Sequence, residues 1–213
     1  MTISRRQLIS ILLLASCALL YWLWPARHWD LVNLPPRADG PWVAFGDSLT
    51  EGYGSTGAGA DYPSQLGKRL GVEIQNRGVS GETSADGLKR LAQIEELNPR
   101  VVLLCFGGND VLRSVPRAEM FANIGAMIDR LQARGTFVVL IGVRGRGLVG
   151  DGNADGFKKL AKEKGIKLVP NILDDLLSRP SLMADYVHPN DAGYAKIADR
   201  VEKELRPLLK KLQ

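Results

Sequence analysis

Short apolar runs alternate with segments of helical period along most of this chain. The runs Trp42–Phe45, Val72–Asn76, Val101–Phe106, Phe137–Val143 and Ile166–Val169 read as strands. Between them Tyr62–Leu70, Ser84–Leu97, Arg117–Arg134 and Ala154–Lys164 read as helices, and Asp191–Leu209 closes the chain as a last one. Gly71, Gly135 and Gly165 follow helices as stops, and Pro63 and Pro116 sit near helix starts. This alternation predicts an α/β domain with a parallel sheet. In such sheets ligands bind beyond the carboxyl ends of the strands, and the polar motifs of this chain fall at those ends.

The N-terminus has a different pattern. Arg5 and Arg6 precede Leu8–Trp24, a stretch without a charge, closed by Pro25, Ala26 and Arg27. As a helix it would span roughly 26 Å, slightly less than a hydrocarbon core of roughly 30 Å. Tyr21, Trp22 and Trp24 stand at its far end, where an aromatic belt belongs, and the arginines favour a cytoplasmic N-terminus. Residues 1–26 are therefore expected to be a retained membrane anchor, with 27–41 a linker and 42–213 the folded domain. Three other readings stay open: a signal peptide cleaved near Ala18, a lipoprotein box at Leu14-Ala15-Ser16-Cys17, and a twin-arginine signal at Ser4-Arg5-Arg6.

The length of 213 residues suits one domain plus a short appendage, and 45% hydrophobic against 24% charged residues indicates a folded core. The net charge of +5 comes from scattered basic residues; the cluster Lys158, Lys159, Lys162, Lys164 and Lys167 alternates with apolar positions and Glu163 as on a solvated helix face. No basic stripe with interleaved aromatics is present, so a nucleic-acid partner is not expected. Cys17 lies in the apolar N-terminal run and Cys105 in a buried-strand pattern, so no disulfide is expected, and with two histidines in the chain a structural zinc site lacks ligands.

Of those histidines, His28 lies beside the apolar N-terminal segment, which leaves His188 as the only imidazole in the domain. Asp185 precedes it by three residues in Asp185-Tyr186-Val187-His188-Pro189. On a turn, that spacing lets one carboxylate take the Nδ1 hydrogen while Nε2 points into a cleft, as a general base requires. A cap for the following helix is the other use of Asp185. The first strand ends in Phe45-Gly46-Asp47-Ser48-Leu49, which delivers Ser48 as a nucleophile or as a helix N-cap. Acyl transfer also needs donors for an oxyanion. Ser80-Gly81-Glu82-Thr83 follows the second strand, where a glycine lets a bare N–H approach substrate; Gly107-Gly108-Asn109-Asp110 follows the third, where Asn109 has a side-chain amide. Turn glycines and an Asx turn are the alternatives there.

Together these four blocks resemble those of the GDSL, or SGNH, hydrolase family of esterases and lipases. Gly46-Asp47-Ser48-Leu49, Gly81, Asn109 and Asp185-x-x-His188-Pro189 occur in the family's order across nearly all of residues 42–205. The resemblance implies a three-layer α/β/α sandwich with a five-stranded parallel sheet of flavodoxin-like type. It also implies a Ser48–His188–Asp185 triad and an oxyanion hole made by the Ser48 and Gly81 N–H groups and the Asn109 side chain. Gly46–Gly54, Asn76–Thr83 and Leu182–Tyr194 are most similar to the bacterial arylesterase, lysophospholipase and thioesterase I branch, while the loop Gly142–Gly150 departs from it. The expected reaction is hydrolysis of carboxylic esters or thioesters through an acyl-enzyme, on acyl lipids or small acyl esters, with the domain on the outer side of a bacterial inner membrane. A secreted or lipid-anchored protein is the alternative location. Deacetylation of sugars and non-catalytic binding of lipid or glycan are the alternative functions. Tyr53, Leu112, Leu148 and Val187 are candidate substrate contacts. No metal or cofactor is implied: Gly145-Arg146-Gly147-Leu148-Val149-Gly150 and Gly52-Tyr53-Gly54-Ser55-Thr56-Gly57 spell the dinucleotide fingerprint, but neither has its strand and acid context.

Overall fold

Three of the five apolar runs become strands that are buried on both faces, as continuous apolar sequence requires of a covered parallel sheet. The computed structural model describes residues 29–143 and 152–213. The strands are β1 (Trp42–Gly46), β2 (Ile74–Gly78), β3 (Val101–Cys105), β4 (Phe137–Ile141) and β5 (Lys167–Val169). All pair in parallel, in the order β2-β1-β3-β4-β5. The helices are α1 (Ser48–Glu51), α2 (Tyr62–Leu70), α3 (Ser84–Glu95), α4 (Gly108–Leu112), α5 (Arg117–Ala133), α6 (Asn153–Lys164), α7 (Asp191–Leu205) and α8 (Leu209–Leu212).

Alternate strand residues supply two core layers. Ala44, Leu103 and Val139 face one cluster with Leu66 and Leu70 of α2 and Tyr194, Ile197 and Val201 of α7. On the opposite face the rings of Phe45 and Phe106 meet edge to face at 5.0 Å, with Phe106 against the backbone of Gly87 in α3. Helix α5 packs between α3 and α6 on that side. The result is the expected α/β/α layering. Order 2-1-3-4-5 reverses direction between β1 and β3, and the crevice above that point receives both the Ser48 and the Asn109 loops.

Most element boundaries lie within a residue or two of expectation, and two departures have clear causes. The second strand runs Ile74–Gly78 rather than Val72–Asn76. Val72 is consumed by the exit of α2: its N–H bonds the Gly67 carbonyl at 3.1 Å, next to Gly71 at φ +69°. The strand then runs on through Gln75, Asn76 and Arg77, which an edge strand tolerates and an apolar run does not reveal. At its end the backbone of Glu51 in α1 lies so close to Gly78 that a Cβ there would sit 2.0 Å from the Glu51 nitrogen. The last helix, expected to reach Leu209, stops at Leu205; a 3₁₀ turn Arg206–Leu208 and α8 follow. Pro207 removes an N–H and collides with the preceding turn, which ends the α-helical ladder.

Among the described residues the segment read as a linker holds no helix or strand, and from Leu31 it belongs to the same unit as the domain. Val32 N–H bonds the Gly165 carbonyl at 2.8 Å, Arg37 N–H the Gly135 carbonyl at 2.9 Å, and Leu31 and Leu34 pack on the core. The expected anchor Leu8–Trp24, Cys17, His28 and residues 144–151, which include Leu148, lie outside the described residues. Among the described residues no helix is long and apolar enough to cross a membrane.

Candidate active site

Asp47 ends β1 by capping α1, its Oδ1 accepting the Leu49 N–H at 3.0 Å. The turn presents Ser48 as the first helical residue. On the far side of the crevice, the Asp185–His188 turn is closed by the His188 carbonyl, which accepts the Ala184 N–H at 2.9 Å. Asp185 Oδ1 accepts the Val187 and His188 N–H groups, both at 2.7 Å. Its Oδ2 is left for the imidazole, 2.8 Å from His188 Nδ1. His188 Nε2 then lies 3.0 Å from Ser48 Oγ. One hydrogen-bonded chain therefore runs Asp185–His188–Ser48, with the acceptor nitrogen on the hydroxyl.

The charges suit that chain. Burial raises the Asp185 carboxyl, but the bonds from His188 and Val187 outweigh it and hold the pKa down at about 2. The residue stays an acceptor at any ordinary pH, which selects the Nδ1–H tautomer. Tyr53 covers the imidazole, ring centroids 4.6 Å apart. Asp47 is the opposite case. It is 1% exposed. Burial pushes its carboxyl up to about 7 against the pull of the Leu49 N–H, and the charges of Asp110 and Glu82 push the same way.

The two glycine-bearing loops flank the serine. Gly81 is left-handed at φ +82°, a conformation that carries its N–H without a side chain in the way. Among the described residues neither the Gly81 nor the Ser48 N–H has a protein acceptor. Asn109 Nδ2 donates one hydrogen to the Glu82 carbonyl at 2.9 Å. Among the described residues its other hydrogen finds only Asp47 Oδ2 at 3.5 Å, the outer limit of a hydrogen bond. Below, Asp110 takes the Ser84 N–H at 2.9 Å and the Ser84 hydroxyl at 2.5 Å, which ties the Asn109 loop to the start of α3.

Ser48, His188, Gly81 and Asn109 line one cleft of about 470 Å³. Of the candidate contacts, Tyr53, Leu112 and Val187 line it too; Leu148 lies outside the described residues. Sequence reading missed Leu49, Val111, Val143, Leu173, Leu177 and Tyr186 in the wall. The apolar pairs Ile172-Leu173 and Leu176-Leu177, beyond the last strand, were the available signal. Among the described residues no group of three or more metal-ligating side chains is positioned to hold a metal ion.

A sequence model of the GDSL-like lipase/acylhydrolase family matches residues 44–196. The chain belongs to that family. It is a carboxylic ester hydrolase with the fold of SGNH hydrolases, similar to arylesterases and thioesterase I-type lysophospholipases. It is 32% identical to the arylesterase of Vibrio mimicus over 76% of this chain and 86% of that one. It is 30% identical to thioesterase 1/protease 1/lysophospholipase L1 of Escherichia coli strain K12, over 88% of this chain and 94% of that one. The crystal structure of the psychrotrophic esterase EstA from Pseudoalteromonas sp., inhibited by monoethylphosphonate, superposes with a TM-score of 0.72 at 25% identity. That match covers 81% of this chain and all of the other.

Proposed function

We propose that this family member hydrolyses esters or thioesters of apolar acyl chains, with Ser48 as nucleophile, His188 as general base and Asp185 as the group that orients it. The single observation that carries this reading is the Ser48 Oγ–His188 Nε2 contact of 3.0 Å at the head of an apolar cleft. His188 takes the Ser48 proton as Oγ attacks the acyl carbonyl, and Asp185 stabilises the imidazolium. The developing oxyanion is received by the Ser48 and Gly81 N–H groups and by the Asn109 hydrogen not held by Glu82. His188 then protonates the leaving alcohol or thiol, and water repeats the sequence on the acyl-enzyme. Leu49, Val111 and Leu177 offer the acyl chain an apolar wall, which favours lipid-type acyl groups over acetyl. The relatives named for thioesterase and lysophospholipase activity support the same substrate class. The apolar segment after Arg5 and Arg6 supports the further proposal that the enzyme is anchored in a membrane with its domain outside the cytoplasm.

The test is hydrolysis of p-nitrophenyl esters from acetyl to palmitoyl, an acyl-thioester and a lysophospholipid by the full chain and by Ser48→Ala. Serine-dependent turnover rising with chain length supports the reading. Preference for acetyl redirects it to deacetylation, and turnover unchanged in Ser48→Ala overturns it. An ethyl p-nitrophenyl alkylphosphonate, which releases p-nitrophenolate as Ser48 Oγ bonds to phosphorus, should label the wild type covalently and leave Ser48→Ala unlabelled.

A further inference from the structure

Behind the cleft, one largely buried cation touches the segments that carry the Ser48 and Gly81 donors and the residue that holds Asn109. Arg90 lies on α3 with its side chain 15% exposed, against 16% for Glu82. Its Nε stands 2.8 and 2.7 Å from the two Glu82 carboxylate oxygens. Nη2 donates to the carbonyl of Gly46 at 3.2 Å and to that of Arg77 at 3.0 Å. The guanidinium also lies over the Phe45 ring, 4.5 Å from its centre.

These partners belong to the chain segments that carry the Ser48 and Gly81 donors and to the residue that holds the Asn109 amide. Gly46 ends β1, two residues before Ser48. Arg77 lies near the end of β2, which leads into the Gly81 loop. Glu82 follows Gly81 directly, and its own carbonyl holds the Asn109 amide at 2.9 Å. We propose that Arg90 is a positioning residue of the active site, setting the mutual placement of the Ser48, Gly81 and Asn109 donors by bracing Gly46, Arg77 and Glu82 with one guanidinium. The idea rests on the oxyanion hole proposed above.

The chemistry suits arginine alone. A planar fork with several fixed N–H directions reaches a carboxylate and two carbonyls at once while its face stacks on an aromatic ring; an ammonium is a point charge on a flexible stem. Donors must be held within about 0.5 Å of productive geometry to function, so loosening the brace should act on turnover.

The experiment measures kcat and KM of the full chain for p-nitrophenyl butyrate in Arg90→Lys, Glu82→Gln, Asn109→Ala and the double variant Arg90→Lys/Asn109→Ala, with thermal melts on each. Arg90→Lys is expected to lower kcat about 10–100-fold, the scale of a small misplacement at a reacting centre, with KM within about threefold. In the Asn109→Ala background the same change should cost several-fold less, because one of the donors it places is gone. Glu82→Gln should lower kcat in the same sense, and it carries the test if Arg90→Lys does not fold. Folded variants with wild-type kcat, losses confined to KM, or losses independent of Asn109 overturn the proposal. Ser48→Ala separates the two levels: turnover surviving in it defeats the proposed function itself, whereas its loss beside an inert Arg90→Lys defeats only the role of Arg90.

Discussion

The hydroxyl of Tyr194, on α7, donates to the backbone carbonyl of Tyr53 at 2.7 Å. Tyr194 is fully buried, and Tyr53 is the residue whose ring lies against His188. The bond thus couples the helix behind the His188 turn to the segment covering the imidazole. Tyr194→Phe keeps the packing and leaves the Tyr53 carbonyl without this donor. Stability should fall by about 1–3 kcal/mol in urea unfolding, with a reduction in kcat as Tyr53 loosens over His188. Wild-type stability and kcat in the variant would remove the coupling.

Asp185→Asn is expected to leave the fold intact, since the side chain is 44% exposed. An amide facing Nδ1 favours the wrong tautomer, and kcat should fall by about 10⁴. Because the carboxyl of Asp185 titrates at about 2, protonation of this residue does not limit activity in mildly acidic buffer. Its folded value lies below the usual 3.8, so its stabilising effect is present above pH 3.8 and lost only as pH falls toward 2. A pH–rate profile and a melt series between pH 2 and 5 check both statements.

Asp47 predicts the opposite slope. Its folded value of about 7 stands above 3.8, so between those pH values the folded protein holds a proton that the unfolded chain releases. Unfolding free energy from this group is therefore greatest below pH 3.8 and declines as pH rises through 7. Asp47→Asn keeps an oxygen for the Leu49 N–H and removes the titration. Relative to wild type the variant should gain stability from pH 4 to 8, by up to about 4 kcal/mol for a shift of this size. A stability difference that stays constant across that range would show that Asp47 is ionised in the folded state throughout.

Leu177 is half-buried in the cleft wall beside Leu173. Leu177→Trp should shorten the acyl chain the cleft accepts. Each methylene denied burial costs about 0.8 kcal/mol, roughly fourfold in kcat/KM. The butyrate ester should be nearly unaffected while the palmitate ester loses most. Equal losses for both esters would place the acyl chain elsewhere.

Much of this was legible from local pattern. Continuous apolar runs announce β1, β3 and β4 because a sheet covered on both faces needs apolar side chains in both directions. The Asp185–His188 spacing is short enough that one turn determines their contact, and Asp47-Ser48 at a strand end places a hydroxyl at the sheet's edge. Lone events such as Val72 closing α2 or Pro207 ending α7 shifted boundaries, since hydrogen-bonded exits override hydrophobic period. What only the tertiary structure decided are the relations across distance. Ser48 and His188 meet because order 2-1-3-4-5 opens a crevice at β1 and β3 and α7 returns to it. The cleft wall at Leu173, Leu177 and Tyr186, and the bracing of Gly46, Arg77 and Glu82 by Arg90, come from segments far apart in the chain. Hydrophobic periodicity says which face of an element is buried; it does not say against which other segment, because that choice is made by the packing of the whole domain.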